Sequence, residues 1–319
     1  MFKEAYNLFN QGKYSEAIKY YEKILEIDPV DSDAWSNKGS AYVELEKNDE
    51  ALNCFNKSLK LDNKNYNSWH GKGIVLENKK MFEEALKCYN KALELNPNFP
   101  NAWSNKGAVL SELNMDNDNA IKCIDKALEL DPNSAKAWID KALILFKLES
   151  FEESLKCFDK AIELVPNKPL LYYNKGRALA GLERFNEAIK CYDNALKLNP
   201  SYFSSWYNKG NILLKLKKFQ EALKCYNKAL ELNPSDYSVW INKGNVLAQL
   251  GQFNESLESF NKALELQQDN EKAWYNKGRI LFELKKYDDA LKCLNKSLEL
   301  NPNKLDAKKY KEKILSFMS

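Results

Sequence analysis

Residues 203–236 read FSSWYNKGNILLKLKKFQEALKCYNKALELNPSD, and residues 237–270 read YSVWINKGNVLAQLGQFNESLESFNKALELQQDN. Aligned, the two stretches agree at Trp206 and Trp240, Lys209 and Lys243, and Gly210 and Gly244. The register extends in both directions. Trp35, Trp69, Trp103, Trp138, Trp206, Trp240 and Trp274 are the seven tryptophans of the chain, separated by 34, 34, 35, 68, 34 and 34 residues, and Tyr172 stands in the gap of 68. Self-similarity at such a period marks stacked supersecondary units, each too small to bury its apolar face alone. With Trp at position 4, nine units follow: 1–31, 32–65, 66–99, 100–134, 135–168, 169–202, 203–236, 237–270 and 271–304. They are expected to form a single array, closed by a capping helix over 305–319.

Within a unit the apolar spacing is helical twice over. Trp206, Gly210 and Leu213 recur at i, i+4 and i+7, and after a short break Ala222, Tyr226, Ala229 and Leu230 do the same. Small residues at positions 8, 20 and 27 let two backbones approach, and aromatic rings at 4 and 24 fill the space beside them. Pro at position 32 ends the second helix, because it cannot continue one. Asn63 and Gln268 replace it twice, which predicts slightly weaker boundaries there.

Trp at 4, Gly at 8, Tyr or Leu at 11, Ala at 20, Tyr or Phe at 24, Ala at 27 and Pro at 32 resemble the tetratricopeptide repeat over nearly the whole chain. The resemblance implies an all-α fold, a right-handed superhelical α-solenoid whose first helices line a concave groove. It also implies a non-enzymatic protein–protein interaction scaffold. One departure is position 7, where the family usually has Leu and this chain has Lys38, Lys72, Lys106, Lys141, Lys175, Lys209, Lys243 and Lys277. Their stems are expected to pack and their amines to reach the carbonyl-rich C-terminus of a neighbouring second helix. The fourth unit has 35 residues, with Asp116 to Asn119 expected in a lengthened internal turn.

Composition narrows the function. A net charge of +3 over 319 residues, with 44% hydrophobic and 29% charged residues, fits an ordered globular chain rather than a bulk polyanion binder. No apolar run approaches the roughly 20 residues of a membrane span, and the first 20 residues lack a signal-peptide core; a cytoplasmic protein is the expectation. Cys54, Cys88, Cys123, Cys157, Cys191, Cys225 and Cys293 all fall at position 23. Equivalent points on stacked hairpins lie about 10 Å apart, too far for disulfides or a shared metal, so they read as packing residues. The single histidine, His70, sits at position 5, expected to be exposed, without a catalytic partner. No phosphate loop or nucleophile elbow occurs, and neither a cofactor nor a metal is expected.

Positions 2, 5, 6, 9, 12 and 13 form the arc that the first helix turns away from its own packing. Position 6 carries Asn174, Asn208, Asn242 and Asn276 without interruption, and Asn37 and Asn105 in a weaker N-terminal stretch. The row is similar to the asparagine ladder that holds peptide backbone in O-linked N-acetylglucosamine transferases. Beside it, Tyr173, Tyr207 and Tyr275 stand at position 5, and Arg177, Asn211, Asn245 and Arg279 at position 9. Carboxamides, aromatic rings and arginines together have the composition of a recognition surface. Residues 1–168 hold 23 Lys and Arg against 28 Asp and Glu, whereas residues 169–319 hold 25 against 17. The expected ligand is therefore an extended acidic peptide or protein segment, bound by the basic C-terminal half. Position 5 is never Lys, so the family's clamp for chaperone tails is not expected. The alternatives are single-stranded RNA stacked on the tyrosines, and self-assembly through Ile314, Phe317 and Met318 of the last helix.

Overall fold

A computed structural model describes residues 1–113 and 116–318. They form two compact units, which meet in sequence between residues 166 and 167. Unit 1 consists of five helical hairpins: α1 (Phe2–Asn10) with α2 (Tyr14–Ile27), α3 (Ser32–Glu44) with α4 (Asn48–Leu61), α5 (Tyr66–Asn78) with α6 (Phe82–Leu95), α7 (Pro100–Glu112) with α8 (Asn117–Leu130), and α9 (Ala135–Lys147) with α10 (Phe151–Leu164). Unit 2 continues the pattern with α11 (Pro169–Gly181) and α12 (Phe185–Leu198), α13 (Phe203–Lys215) and α14 (Phe219–Leu232), α15 (Tyr237–Gln249) and α16 (Phe253–Leu266), α17 (Glu271–Glu283) and α18 (Tyr287–Leu300), followed by α19 (Leu305–Met318). No strand occurs among the described residues. The first helix of each pair is called A, the second B.

Local chemistry sets the boundaries. Asp31, Asn65, Ser134 and Asn270 cap A helices by accepting the backbone N–H three residues on, at 2.8 to 3.3 Å. Pro100 and Pro169 open α7 and α11, where the absent N–H costs nothing. The A-to-B turn passes through a left-handed residue at position 15. Gly12 and Gly251 adopt it freely, whereas Glu46, Lys80, Glu149, Glu183, Lys217 and Lys285 hold φ of 57 to 60°. At the end of B, Asp28, Asp62, Asn96, Asp131, Asn199, Asn233 and Asn301 accept the N–H two residues on, at 2.9 to 3.2 Å. This side-chain turn acts together with Pro to stop the helix. In the fourth unit Asp116 is the N-cap, bonded to the Asn119 N–H at 2.9 Å, so Asn117 to Asn119 begin α8 rather than lie in the turn.

The core repeats as well. The rings of Phe55, Tyr89, Phe158, Tyr192, Tyr226 and Phe260 at position 24 are buried, each between the two helices of its hairpin. All seven cysteines are buried thiols on B helices, and burial pushes Cys54 and Cys225 up to about 11. The tryptophans do more than fill space. Their indole N–H groups donate to the carbonyl of position 32 in the preceding hairpin: Pro29, Asn63, Pro97, Pro132, Pro200, Pro234 and Gln268, at 2.8 to 3.0 Å. Because the acceptor is backbone, Asn63 and Gln268 keep the tie that proline has elsewhere.

The position-7 lysines follow a different path from the expected one. Lys38 pairs with Glu22, Lys141 with Asp125 and Lys209 with Asp193 at 2.6 to 2.9 Å, and Lys72 donates to Asn56 at 2.9 Å. These partners lie within the preceding B helix and not at its carbonyl end. The amines of Lys38, Lys72, Lys106, Lys209 and Lys277 stand 5.2 to 5.8 Å from the rings of Trp35, Trp69, Trp103, Trp206 and Trp274, and Lys243 stands 5.0 Å from Trp240. A side-chain carboxylate or amide is simply nearer than the helix end.

Ala307 and Ile314 bury α19 against α18, while Leu315 and Phe317 are exposed. Ile314 is therefore withdrawn from any docking surface, and the Phe317 ring stacks on Tyr287 at 6.1 Å. The Met318 side chain lies outside the described residues.

Candidate functional site

In unit 2, α11, α13, α15 and α17 each touch the first helix of the following pair, or α19 at the end, whereas consecutive B helices are less closely packed against each other. The A side is thus the tighter, inner side of the unit. Position 3 (Leu171, Ser205, Val239, Ala273) and position 10 (Ala178, Ile212, Val246, Ile280) are buried between neighbours, which turns positions 5, 6 and 9 inward.

The asparagine row lies on this face and is knitted to itself. Asn208 Nδ2 donates to Tyr173 Oη at 3.1 Å, Asn242 Nδ2 to Asn211 Oδ1 at 2.9 Å and to Tyr207 Oη at 3.4 Å, and Asn276 Nδ2 to Asn245 Oδ1 at 2.9 Å. Each amide therefore reaches back to position 5 or 9 of the preceding A helix. Tyr226 Oη also donates to Asn211 Oδ1 at 2.8 Å, which fixes the amide orientation. Asn174 lies beside Arg177, whose Nη1 approaches its Oδ1 at 3.4 Å. Asn174 and Asn105 are 7% and 5% exposed, leaving almost no surface for a ligand, and Asn37 Nδ2 is bonded to the Asp33 carbonyl at 2.9 Å. Asn208, Asn211, Asn242, Asn245 and Asn276 are half-buried, with one side open.

The tyrosines are less free than their position suggests. Tyr173 meets Tyr202 edge-on at 5.2 Å, Tyr207 stacks with Phe203 at 6.2 Å, and Tyr275 meets Tyr310 at 6.1 Å. Arg177 lies 5.8 Å from the Tyr173 ring, and Arg279 lies 5.7 and 5.8 Å from Tyr275 and Tyr310. Beside Arg279 a cavity of about 400 Å³ opens between α13, α15 and α17, and Lys215, Lys217 and Gln249 join Asn245, Asn276 and Arg279 in its lining. These three additions escaped the sequence reading. Lys215 and Gln249 occupy position 13 of the inward arc, so their signal was present; Lys217 is brought in by the left-handed turn.

In unit 1 the inner face carries His70, half-buried and not exposed. Its ring packs 4.7 Å from Phe99 and 5.7 Å from Tyr89, and its Nε2 pairs with Asn105 Nδ2 at 3.1 Å. Burial lowers it to about 4. Tyr89 Oη donates to Glu77 Oε2 at 2.6 Å, and burial raises that carboxyl. No grouping of three or more metal-ligating side chains occurs among the described residues, and no helix among them is long and apolar enough to cross a membrane.

A profile of the tetratricopeptide repeat matches residues 32–65, 66–99, 135–168, 203–236 and 271–304, and related profiles of the repeat match 1–29, 88–122, 176–217, 225–258 and 244–281. The chain belongs to the tetratricopeptide repeat family. Tetratricopeptide arrays serve as protein–protein interaction scaffolds, and this chain is one by the same architecture. Among solved structures it is similar to YrrB, described as a tetratricopeptide protein with an unusual peptide-binding site, at 28% identity over 60% of this chain and 99% of that one, TM-score 0.54. It is also similar to MamA from Desulfovibrio magneticus RS-1, at 26% identity over 54% of this chain and 97% of that one, TM-score 0.51. The Cut9–Hcn1 hetero-tetramer of APC/C shares the fold at 19% identity over 94% of this chain and 59% of that one, TM-score 0.55. No curated protein matches.

Proposed function

We propose that unit 2 holds an extended, acidic protein segment along its inner asparagine row. One observation carries this reading. In the pairs Asn211–Asn242 and Asn245–Asn276, the position-6 amide donates to the position-9 carbonyl at 2.9 Å. That leaves each pair with a position-9 Nδ2 donor and a position-6 Oδ1 acceptor on the open side. One donor and one acceptor per repeat is the complement of a peptide group, which offers one C=O and one N–H. Arg177 and Arg279, with the basic excess of this half, supply the preference for acidic sequence. The similarity to YrrB, whose description names a peptide-binding site, supports a peptide ligand. The engaged tyrosine faces favour peptide over RNA, since a stacked base needs a free ring face.

The test replaces atoms rather than side chains. Asn211→Asp with Asn245→Asp keeps the acceptor for Tyr226, Asn242 and Asn276 but removes both open donors. Binding of a fluorescent peptide alternating Glu with Ala and Ser should weaken by roughly thirtyfold or more, at about 1 kcal/mol per lost bond plus charge repulsion. A Lys-for-Glu version of the peptide should bind neither protein. Unchanged affinity in the double variant would remove the asparagine row from the binding surface.

A further inference from the structure

The cavity beside Arg279 differs in charge pattern from the cavities around Trp206, Trp240, Trp274 and Tyr207. Its lining comprises Leu214, Lys215, Lys217, Phe219, Asn245, Ala248, Gln249, Phe260, Asn276, Arg279 and Ile280. Three cations and three carboxamides are gathered there, and no carboxylate is among them. The cavities around Trp206, Trp240, Trp274 and Tyr207 also have lysine in their walls, but each contains Glu as well.

Two of the three cations are uncompensated inside the cavity. The Arg279 guanidinium lies beside the edge-on pair of Tyr275 and Tyr310 rings, and its Nε is buried without a hydrogen-bond partner. A buried N–H of a charged group that bonds to no protein atom is costly, and an acceptor entering beside Arg279 would offset that cost. Lys217 projects from the left-handed turn residue. Lys215 does have a partner, Glu183 at 2.8 Å, but both side chains are more than half exposed, and such a pair is weak enough to exchange. Asn276 donates to Asn245, which leaves the Asn245 Nδ2 as a further donor on the cavity side.

A single carboxylate of charge −1 would leave this set of donors in excess. A phosphate monoester carries −1.5 to −2 at neutral pH and three acceptor oxygens, and planar guanidinium groups bind it in paired, charge-assisted bonds. We infer that the cavity is a phosphate subsite: the extended segment bound by unit 2 carries a phosphorylated serine or threonine whose phosphate enters between Arg279, Lys215 and Lys217. This rests on the peptide reading of the same face and adds to it a regulator, because modification of the segment by a kinase-type reaction would tighten its capture.

The test compares three forms of one peptide, the Glu-Ala-Ser probe above with its central serine free, phosphorylated or replaced by Glu. Phosphorylation should tighten binding about tenfold or more over the Glu form, and the gain should fade as pH falls through about 6, where the phosphate takes up its second proton. The Arg279 Nε–Hε resonance in ¹H–¹⁵N spectra should shift with phosphopeptide and with phosphoserine alone, and stay in place with acetate. Arg279→Gln should abolish the gain. Because that change also disturbs the Tyr275–Tyr310 packing, Lys215→Gln with Lys217→Gln, both on the surface, provides the second variant and should cut the gain several-fold at intact stability. If all three peptides bind alike, the phosphate subsite is refuted while the peptide groove stands; if none binds, both readings fail.

Discussion

Gly107→Ala should destabilise the protein by about 2 kcal/mol or more, although Ala is the better helix former by about 1 kcal/mol. A Cβ on Gly107 would lie 2.8 Å from the Ala120 carbonyl oxygen and 2.8 Å from Ile124 Cδ1. The Ile124 side chain could turn aside, but the carbonyl belongs to the backbone of α8, so α7 and α8 would have to part. At Gly210 the nearest atom is Tyr226 Cε1, also at 2.8 Å, which is part of a ring that can tilt; Gly210→Ala should therefore cost less than Gly107→Ala. The fifth hairpin already has Ala142 at this position, fully buried like Phe158 of the same hairpin, and Ala142→Gly should change stability by no more than about 1 kcal/mol. Denaturant unfolding, with amide exchange in α7 and α8 read separately, measures the order. An equal loss at Gly107 and Gly210 would contradict the backbone argument.

His70 should make the folded chain sensitive to acid. Burial holds its folded pKa near 4, against an unfolded value of 6.5. The neutral ring is thus the native form. The stability it contributes is fully present above pH 6.5 and is lost as pH falls from there toward 4, amounting at the limit to about 3 kcal/mol. Protonation would set two donors against each other at the Asn105 contact, with Lys136 adding positive charge nearby. His70→Gln should remove this loss, so the wild-type-minus-variant stability difference should fall by about 3 kcal/mol as pH drops across this window, a comparison that cancels the common titration of carboxylates. Since His70 is the only histidine, one imidazole signal reports it. A midpoint near 6.5 would contradict the buried, neutral assignment.

The hairpins were legible because each depends on spacing that one sequence displays nine times. Trp at 4, Gly at 8 and the aromatic ring at 24 are mutual contacts within a hairpin, and periodicity alone places them on facing sides of two helices. What escaped the sequence involves partners in a neighbouring hairpin. The position-7 lysines read as an anomaly on their own helix, and only the stacked neighbour reveals the acidic or amide side chain 16 residues earlier. The tryptophan indole bond is a second such case, since its acceptor is a carbonyl that any residue provides. His70 looked exposed because position 5 faces away from its own hairpin; Phe99, in the linker to the next A helix, covers it. The asparagine row was visible as a row, but the direction of its amides was not. Those amides serve the stack and the open side at once, a division of donors and acceptors that depends on the 2.9 Å pairs.

The central claim, that the inner face of unit 2 is where the partner lies, is tested most directly by photo-cross-linking from defined positions. A benzophenone side chain placed at Asn211 or Asn245 on the A side, or at Lys224 on the outer B side, is illuminated with the acidic peptide bound. Adducts should form from 211 and 245, in register with one another along the peptide, and be absent from 224. Adducts from 224 with none from 211 and 245 would place the ligand on the opposite face and overturn the account.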